Sequence, residues 1–201
     1  MKVREAKVGR KTAETEVKVH LNLDGAGRGR VRTTMPFLDH MLTLMAKHGC
    51  FDLTVNAKGD TEVDYHHTVE DIGIVMGQTL AKALSDKRQI ARFGSFSVPM
   101  DEAQARVDLD ISGRPYLIYQ VALPKKKKIR SASGGFDLDL IEEFFRALVT
   151  HSGITLHINV PYGKNPHHIL EAVFKAFGRA LDQATRHDTR VRGIPSTKGR
   201  L

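Results

Sequence analysis

The chain has 201 residues, 41% of them hydrophobic and 27% charged, with a formal net charge of +8. That length suits one domain, or one made of two small halves, and the composition is that of an ordinary folded protein. No apolar run approaches the roughly eighteen residues of a membrane span, Met1-Lys2-Val3-Arg4-Glu5 carries no signal-type segment, and the single Cys50 cannot form an internal disulfide. The expectation is a cytoplasmic protein with no membrane partner. Much of the positive charge is local, in Lys125-Lys126-Lys127-Lys128 with Arg130 and in Arg190, Arg192, Lys198 and Arg200. Nucleic acid fits that sign, but no zinc-finger spacing, aromatic platform or recognition helix accompanies it. No specific nucleic-acid partner is expected, and a small phosphorylated substrate suits separate arginines and lysines equally well.

In chain order, residues 3–8 read as a strand and residues 14–23 as a clearer one, where Val17, Val19, Leu21 and Leu23 alternate with polar residues. Asp24-Gly25-Ala26-Gly27 signals a turn, and residues 29–33 are expected to return as the partner strand of a hairpin. Pro36 ends that strand. Residues 37–47 have helical spacing, with Leu38, Met41, Leu42 and Met45 on one side and Gly49 as the stop. His48, in the last turn, reads equally as a helix-end cap or a functional side chain. Cys50 is the small apolar residue opening a strand over 51–56. A helix over 66–83 follows, with Asp64 as its cap and with Gly73 and Gly77 permitting close packing.

After Gly94, strands are expected over 96–98, 103–111 and 116–123. Val107, Leu109 and Ile111 oppose Arg106, Asp108 and Asp110, as in a half-buried antiparallel strand. Residues 125–135 read as a mobile basic loop, residues 139–149 as a helix, 154–160 as a strand and 165–186 as a long helix with Ile169, Val173 and Phe177 inward. The tail 193–201 needs a ligand or a neighbour to order it.

The stretch that carries chemistry is Asp64-Tyr65-His66-His67-Thr68-Val69-Glu70-Asp71, written again as Asn165-Pro166-His167-His168-Ile169-Leu170-Glu171. Imidazole and carboxylate are the usual borderline-to-hard ligands of divalent first-row metals. On a helix His66 shares a face with Glu70, and His167 with Glu171, while His67 and His168 are turned away by about 100°. Each helix start therefore serves two different metal centres.

The correspondence extends beyond the histidines. With His66 set over His167, Gly77 meets Gly178 and Leu80 meets Leu181; further back, His48 meets His151, Met41-Leu42 meets Phe144-Phe145, and residues 51–55 meet residues 154–158. The expected fold is α+β, with two similar halves, residues 1–90 and 91–201. Each half is a mainly antiparallel sheet with helices on one face, and the pair arises by internal duplication. His40 falls opposite Glu143, giving each half a further ligand. That total suits two octahedral-type centres with open positions for substrate. The competing reading is that His40 and Glu143 only cap or solvate helix starts.

These residues resemble the imidazoleglycerol-phosphate dehydratase family of histidine biosynthesis over nearly the whole length. The resemblance rests on Glu14-Thr15, Phe37-Leu38-Asp39-His40-Met41-Leu42, His48-Gly49-Cys50-Phe51-Asp52-Leu53, both His-His segments, Pro99-Met100-Asp101-Glu102-Ala103, Ser112-Gly113-Arg114-Pro115, Thr155-Leu156-His157-Ile158 and Pro195-Ser196-Thr197-Lys198-Gly199. It implies removal of water from D-erythro-imidazole-glycerol phosphate to give imidazole-acetol phosphate. It also implies two manganese ions per active site and a homo-oligomer of twenty-four subunits with sites where subunits meet.

The family's ligands fall on His40, His66, His67, Glu70, His167, His168 and Glu171. A further family histidine is replaced here by Glu143, so that a carboxylate takes its place, or water or His151 fills in. The resemblance makes Glu14 the acid-base residue, where the bare sequence reads an exposed strand-start glutamate. It places Arg92, Arg114, Lys175, Ser196 and Lys198 on the phosphate, in competition, for Lys175, with a helix salt bridge to Glu171. Metal ions on both ring nitrogens would favour an imidazolate able to expel the neighbouring hydroxyl. The alternative from another class is a non-catalytic divalent-metal-binding protein.

Overall fold

The computed structural model describes residues 3–123, 128–131 and 134–201. Strands β1 (Glu5–Lys11) and β2 (Thr15–Asn22) form an antiparallel hairpin in which Arg10 faces Val17. Two further strands are β3 (Gly29–Arg32) and β4 (Asp52–Gly59). The sheet order is β1-β2-β4-β3, with β4 antiparallel to β2 and β3 parallel to β4.

The hairpin expected between residues 14–23 and 29–33 is therefore not formed. β4 pairs with all eight residues of β2, whereas β3 has only four to offer. The longer ladder satisfies more backbone groups and takes the central position. Asp52 then redirects the connection: its carboxylate accepts the backbone N–H of Ala26 at 2.9 Å and of Arg28 at 3.1 Å.

The second half repeats this plan with β5 (Phe93–Met100), β6 (Ala103–Asp110) and β7 (Tyr116–Val121), an inserted hairpin of β8 (Lys128–Ser131) and β9 (Gly134–Asp137), and β10 (Thr155–Tyr162). Its order is β5-β6-β10-β7, again with the last pair parallel. The helices are α1 (Pro36–Gly49), α2 (His66–Leu84), α3 (Leu140–Ser152) and α4 (Pro166–Thr185). The chain is thus a duplicated α+β fold.

The two halves interlock through their helices. α2 lies on β1 and β2 and packs against α3, while α4 lies on β5 and β6 and packs against α1. Gly77 and Gly178 occupy equivalent points of these contacts. A Cβ on Gly77 would lie 2.5 Å from the Leu148 carbonyl oxygen, and one on Gly178 would lie 2.5 Å from that of Met45. Only glycine lets the helices approach so closely. Val17, Val19, Leu21, Leu53 and Val55 from one sheet join Val107, Leu109, Leu156 and Ile158 from the other in a single buried core. Phe145 lies within it, 5.2 Å from Phe174 and 5.3 Å from Phe177 between ring centroids.

Three local readings change. Pro36 starts α1 instead of merely ending a strand, since a first-turn proline forfeits no helical hydrogen bond. Cys50 is exposed and closes α1 in the left-handed conformation (φ 58°), as Gly153 closes α3 (φ 72°), so β4 begins after it. Residues 125–135 contain β8 and the start of β9, although 124–127 and 132–133 lie outside the described residues, as does most of the lysine run. Basic composition hid the apolar anchor: Phe136 is buried, 5.4 Å from the Phe37 ring. No helix among the described residues is long and apolar enough to cross a membrane.

Candidate active site

The two His-His segments open α2 and α4 with a like side-chain bond, though it comes from the N-cap Asn165 in α4 and from Asp64, one residue before the N-cap Tyr65, in α2. Asp64 Oδ1 accepts the His66 backbone N–H at 2.6 Å, and Asn165 Oδ1 accepts that of His167 at 3.0 Å. Each of these bonds satisfies an orphan donor of the first turn and helps fix where the helix begins. The paired rings then stand almost perpendicular, at 89° for His66 and His67 and at 87° for His167 and His168, with centroids 6.2 and 6.4 Å apart. Adjacent histidines do diverge as helical geometry requires.

The fold brings three of the expected ligands into one group. Glu171 Oε2 lies 3.5 Å from His40 Nε2 and 3.3 Å from His167 Nε2, with Glu171 buried and both rings partly exposed. α1 of the first half thus completes a group begun by α4 of the second. Burial opposes ionisation of Glu171, but the hydrogen bond and charge of Lys175, at 2.6 Å, and those of His40 together outweigh it and hold the carboxyl below its ordinary range. Lys175 is accordingly seated beside this group and not with the other cationic residues expected at a phosphate.

A second group forms at the opposite helix start. His67 Nδ1 lies 2.9 Å from Asp60 Oδ2 and 3.7 Å from Glu14 Oε2. The bond to Asp60, assisted by the charge of Glu14, raises the His67 pKa. Within each group the donor atoms lie no more than 4.8 Å apart, and a mixture of imidazole and carboxylate fits a divalent first-row cation. In the second group Asp60 Oδ1 is buried with no hydrogen-bond partner, a polar atom left for a ligand.

The remaining expected ligands stand apart within one chain. His66 Nε2 is 3.9 Å from Glu70 Oε2. His168 Nδ1 lies 2.7 Å from Glu102 Oε2, a contact that raises the histidine pKa and lowers that of Glu102 to about 2. Glu143 pairs with Arg146 at 3.6 Å and belongs to neither group.

The other residues expected at the phosphate lie towards the other end of the second sheet. Arg92 forks onto Asp110 at 2.7 and 3.0 Å and donates to the Pro195 carbonyl at 2.8 Å, so it anchors the tail that carries Ser196 and Lys198. Arg114 Nη2 lies 3.9 Å from the same Asp110. A Cβ on Gly113 would lie 2.8 Å from the Leu201 carbonyl carbon, so the end of the chain rests on the turn preceding Arg114. Within the tail Ser196 Oγ accepts the Lys198 backbone N–H at 3.2 Å.

The family model described as Imidazoleglycerol-phosphate dehydratase matches residues 33–181. The chain belongs to the imidazoleglycerol-phosphate dehydratase family. It is 57% identical over 198 residues to the imidazoleglycerol-phosphate dehydratase of Geobacter metallireducens, covering 98% of this chain and 99% of that one. The relative from Caldanaerobacter subterraneus subsp. tengcongensis is 57% identical over 199 residues, covering 99% of this chain and all of its own. The crystal structure of the Staphylococcus aureus dehydratase superposes with a TM-score of 0.79 at 41% identity, over 92% of this chain and 99% of that one. The Pyrococcus furiosus structure, in complex with (S)-C348, gives 0.80 at 36% identity over 96% and 100%.

Within this family frame the sequence reading did not assign Asp60, Asp71 or Glu102. The duplication holds the missing signal. The sheet registers that align β2 with β6 place Glu14 over Glu102, both one residue before the strand and both facing the second histidine of a pair. This extends the repeat from α1, β4 and α2 to the first two strands of each half.

Proposed function

We propose that the protein is an imidazoleglycerol-phosphate dehydratase: it eliminates water from D-erythro-imidazole-glycerol phosphate to give imidazole-acetol phosphate. The observation that carries this reading is the pair of equivalent helix starts. Each presents two imidazoles at right angles and a carboxylate one turn later, in a chain of this family. Imidazole donors divided in this way would suit two separate metal sites.

His40, His167 and Glu171 would hold part of one site, and His66, His67, Glu70 and His168 would supply the remaining donors, with Glu143 in place of the family histidine. Two manganese ions are proposed, and their Lewis acidity would favour the imidazolate form of the substrate ring. The scattering of these donors over one chain supports sites completed by neighbouring subunits; the assembly is proposed to have twenty-four, as the family resemblance implies. Glu14 is the proposed acid-base residue. Its side chain is 56% exposed and lies beside His67 on no helix of its own, free to approach a bound substrate. It would protonate the departing hydroxyl and handle the proton on carbon, a role unsuited to a carboxylate holding metal, so of its group His67 and not Glu14 would be the ligand. Arg92, Arg114, Ser196 and Lys198 would receive the phosphate, Arg as a planar fork and Lys as a point charge. Lys175 joins them only by leaving Glu171.

The test is turnover of imidazole-glycerol phosphate by manganese-loaded protein, followed by formation of the ketone. Glu14→Gln should keep the metal and lose most turnover. Tight metal binding with no turnover by the unmodified protein would instead assign the non-catalytic metal-binding role.

A further inference from the structure

Asp71 is a buried carboxylate, 7% exposed, that the proposed chemistry does not use. It follows Glu70 on α2 and faces the strands beneath. Its Oδ1 accepts from Arg10 Nε at 2.7 Å and its Oδ2 from the Thr15 hydroxyl. A carboxylate only accepts, so the hydrogen bonds run one way. Thr15 Oγ1 gives its proton to Asp71 and must take one from Thr12 Oγ1, 3.2 Å away. Thr12 Oγ1 in turn accepts the backbone N–H groups of Glu14 at 3.1 Å and of Thr15 at 2.9 Å. This chain of bonds leads from α2 to the backbone of Glu14. On its other side the Glu14 carbonyl accepts the Asp60 N–H at 3.1 Å. The turn is held from both ends.

The duplication supplies an internal control. By strand register and helix alignment, Arg10 corresponds to Val98, Thr12 to Met100, Thr15 to Ala103 and Asp71 to Ala172. Ala103 and Ala172 are both buried in the core. The same architecture therefore closes without a carboxylate at this point, and burying one carries a desolvation penalty that apolar packing avoids. What differs is the glutamate served. Glu102, on the apolar side, is bonded to His168 and to the backbone N–H groups of Lys164 and Asn165 at the start of α4. His67 Nδ1 donates its close bond to Asp60 instead, which leaves the Glu14 carboxylate at 3.7 Å and available. A glutamate without such tethers of its own needs its backbone fixed.

We propose that Asp71 is a positioning residue which, through Thr15 and Thr12, sets the turn that presents Glu14 to the substrate. This rests on the reading of Glu14 as the acid-base residue.

The test compares Asp71→Ala, Asp71→Asn and the triple variant Arg10→Val/Thr15→Ala/Asp71→Ala, which installs the side chains of the second half and so keeps a packing the fold already contains. Each is made with Glu14 intact and as Glu14→Gln, and kcat, KM, metal content and melting temperature are read. With Glu14 intact, Asp71→Ala and the triple variant should lose at least tenfold in kcat, with KM and metal content within twofold. Asp71→Asn, which keeps an acceptor oxygen for Thr15, should recover part of the loss. In the Glu14→Gln background Asp71→Ala should cost less than a further twofold, because the group it positions is already gone. Wild-type kcat in the triple variant would overturn the proposal. So would an equal loss in both backgrounds, or loss of metal with the Asp71 carboxylate. Full turnover by Glu14→Gln alone would defeat the reading of Glu14 and this proposal together; an inactive Glu14→Gln beside a fully active Asp71→Ala would defeat this proposal only.

Discussion

Replacing Glu102 by glutamine removes one charge and one proton acceptor while keeping the shape of the side chain. Glu102 Oε1 accepts the backbone N–H groups of Asn165 at 2.7 Å and Lys164 at 3.1 Å, and Oε2 faces His168 Nδ1 at 2.7 Å. A glutamine has only one carbonyl oxygen, and two backbone donors compete for it against one ring nitrogen. With the oxygen kept by the backbone, the amide NH2 faces Nδ1, which must then accept. The proton of neutral His168 moves to Nε2, the nitrogen a metal would use. The bond that raises the His168 pKa is lost at the same time. Losing such an orienting partner weakens metal affinity by about 10- to 100-fold. The loss should lie near the lower figure, because Glu102 is 35% exposed and water shares the site. Manganese titration of metal-free protein gives the affinity, and the ring-nitrogen chemical shifts of His168 give the tautomer. The melting temperature should hardly change, since the backbone donors stay satisfied. Unaltered affinity together with an Nε2-protonated His168 would refute the argument that this ring binds metal through Nε2.

Arg92→Ala leaves the half-buried Asp110 without its fork and frees Pro195; we expect destabilisation of about 2 kcal/mol, faster proteolysis within residues 193–201, and a KM for substrate raised at least tenfold. Glu143→Ala should lower bound manganese measured by elemental analysis, and unchanged stoichiometry would remove it from the ligands. The hydrogen bond from Arg4 holds the Asp24 carboxyl below its ordinary range, so its contribution is present above about pH 4 and fades as pH falls through the lowered folded-state value. Asp24→Asn should therefore melt below the unmodified protein at neutral pH, with the gap closing in acid, as followed by thermal denaturation across pH 2–7.

Local chemistry explains what was legible. The period-2 run Val17, Val19, Leu21 and the helical stripe Val69, Ile72, Leu80 fall on buried faces because each pattern can bury its apolar side in only one way. The divergence of His66 from His67 and of His167 from His168 follows from the helical step of about 100° per residue, while the near-perpendicular ring planes also depend on the side-chain rotamers. The repeat itself was visible because the His-His-x-x-Glu spacing survives in both halves, and with it the two-sheet plan.

Pairing and convergence were decided by tertiary structure. Residues 29–32 lie in parallel beside β4 and not against β2, because competition among ladders depends on the lengths and burial of all the strands present. His40 joins His167 and Glu171 because α1 packs against α4 of the other half, a contact that no local spacing encodes. Asp60, Asp71 and Glu102 had the same obscurity: each is an ordinary acidic residue until the fold sets it against His67, Thr15 or His168. Sequence determined which donors exist and which way each leaves its helix. Only the folded chain determined which of them share a point in space, since hydrogen bonds and ion pairs act over a few ångströms while these residues lie far apart along the chain.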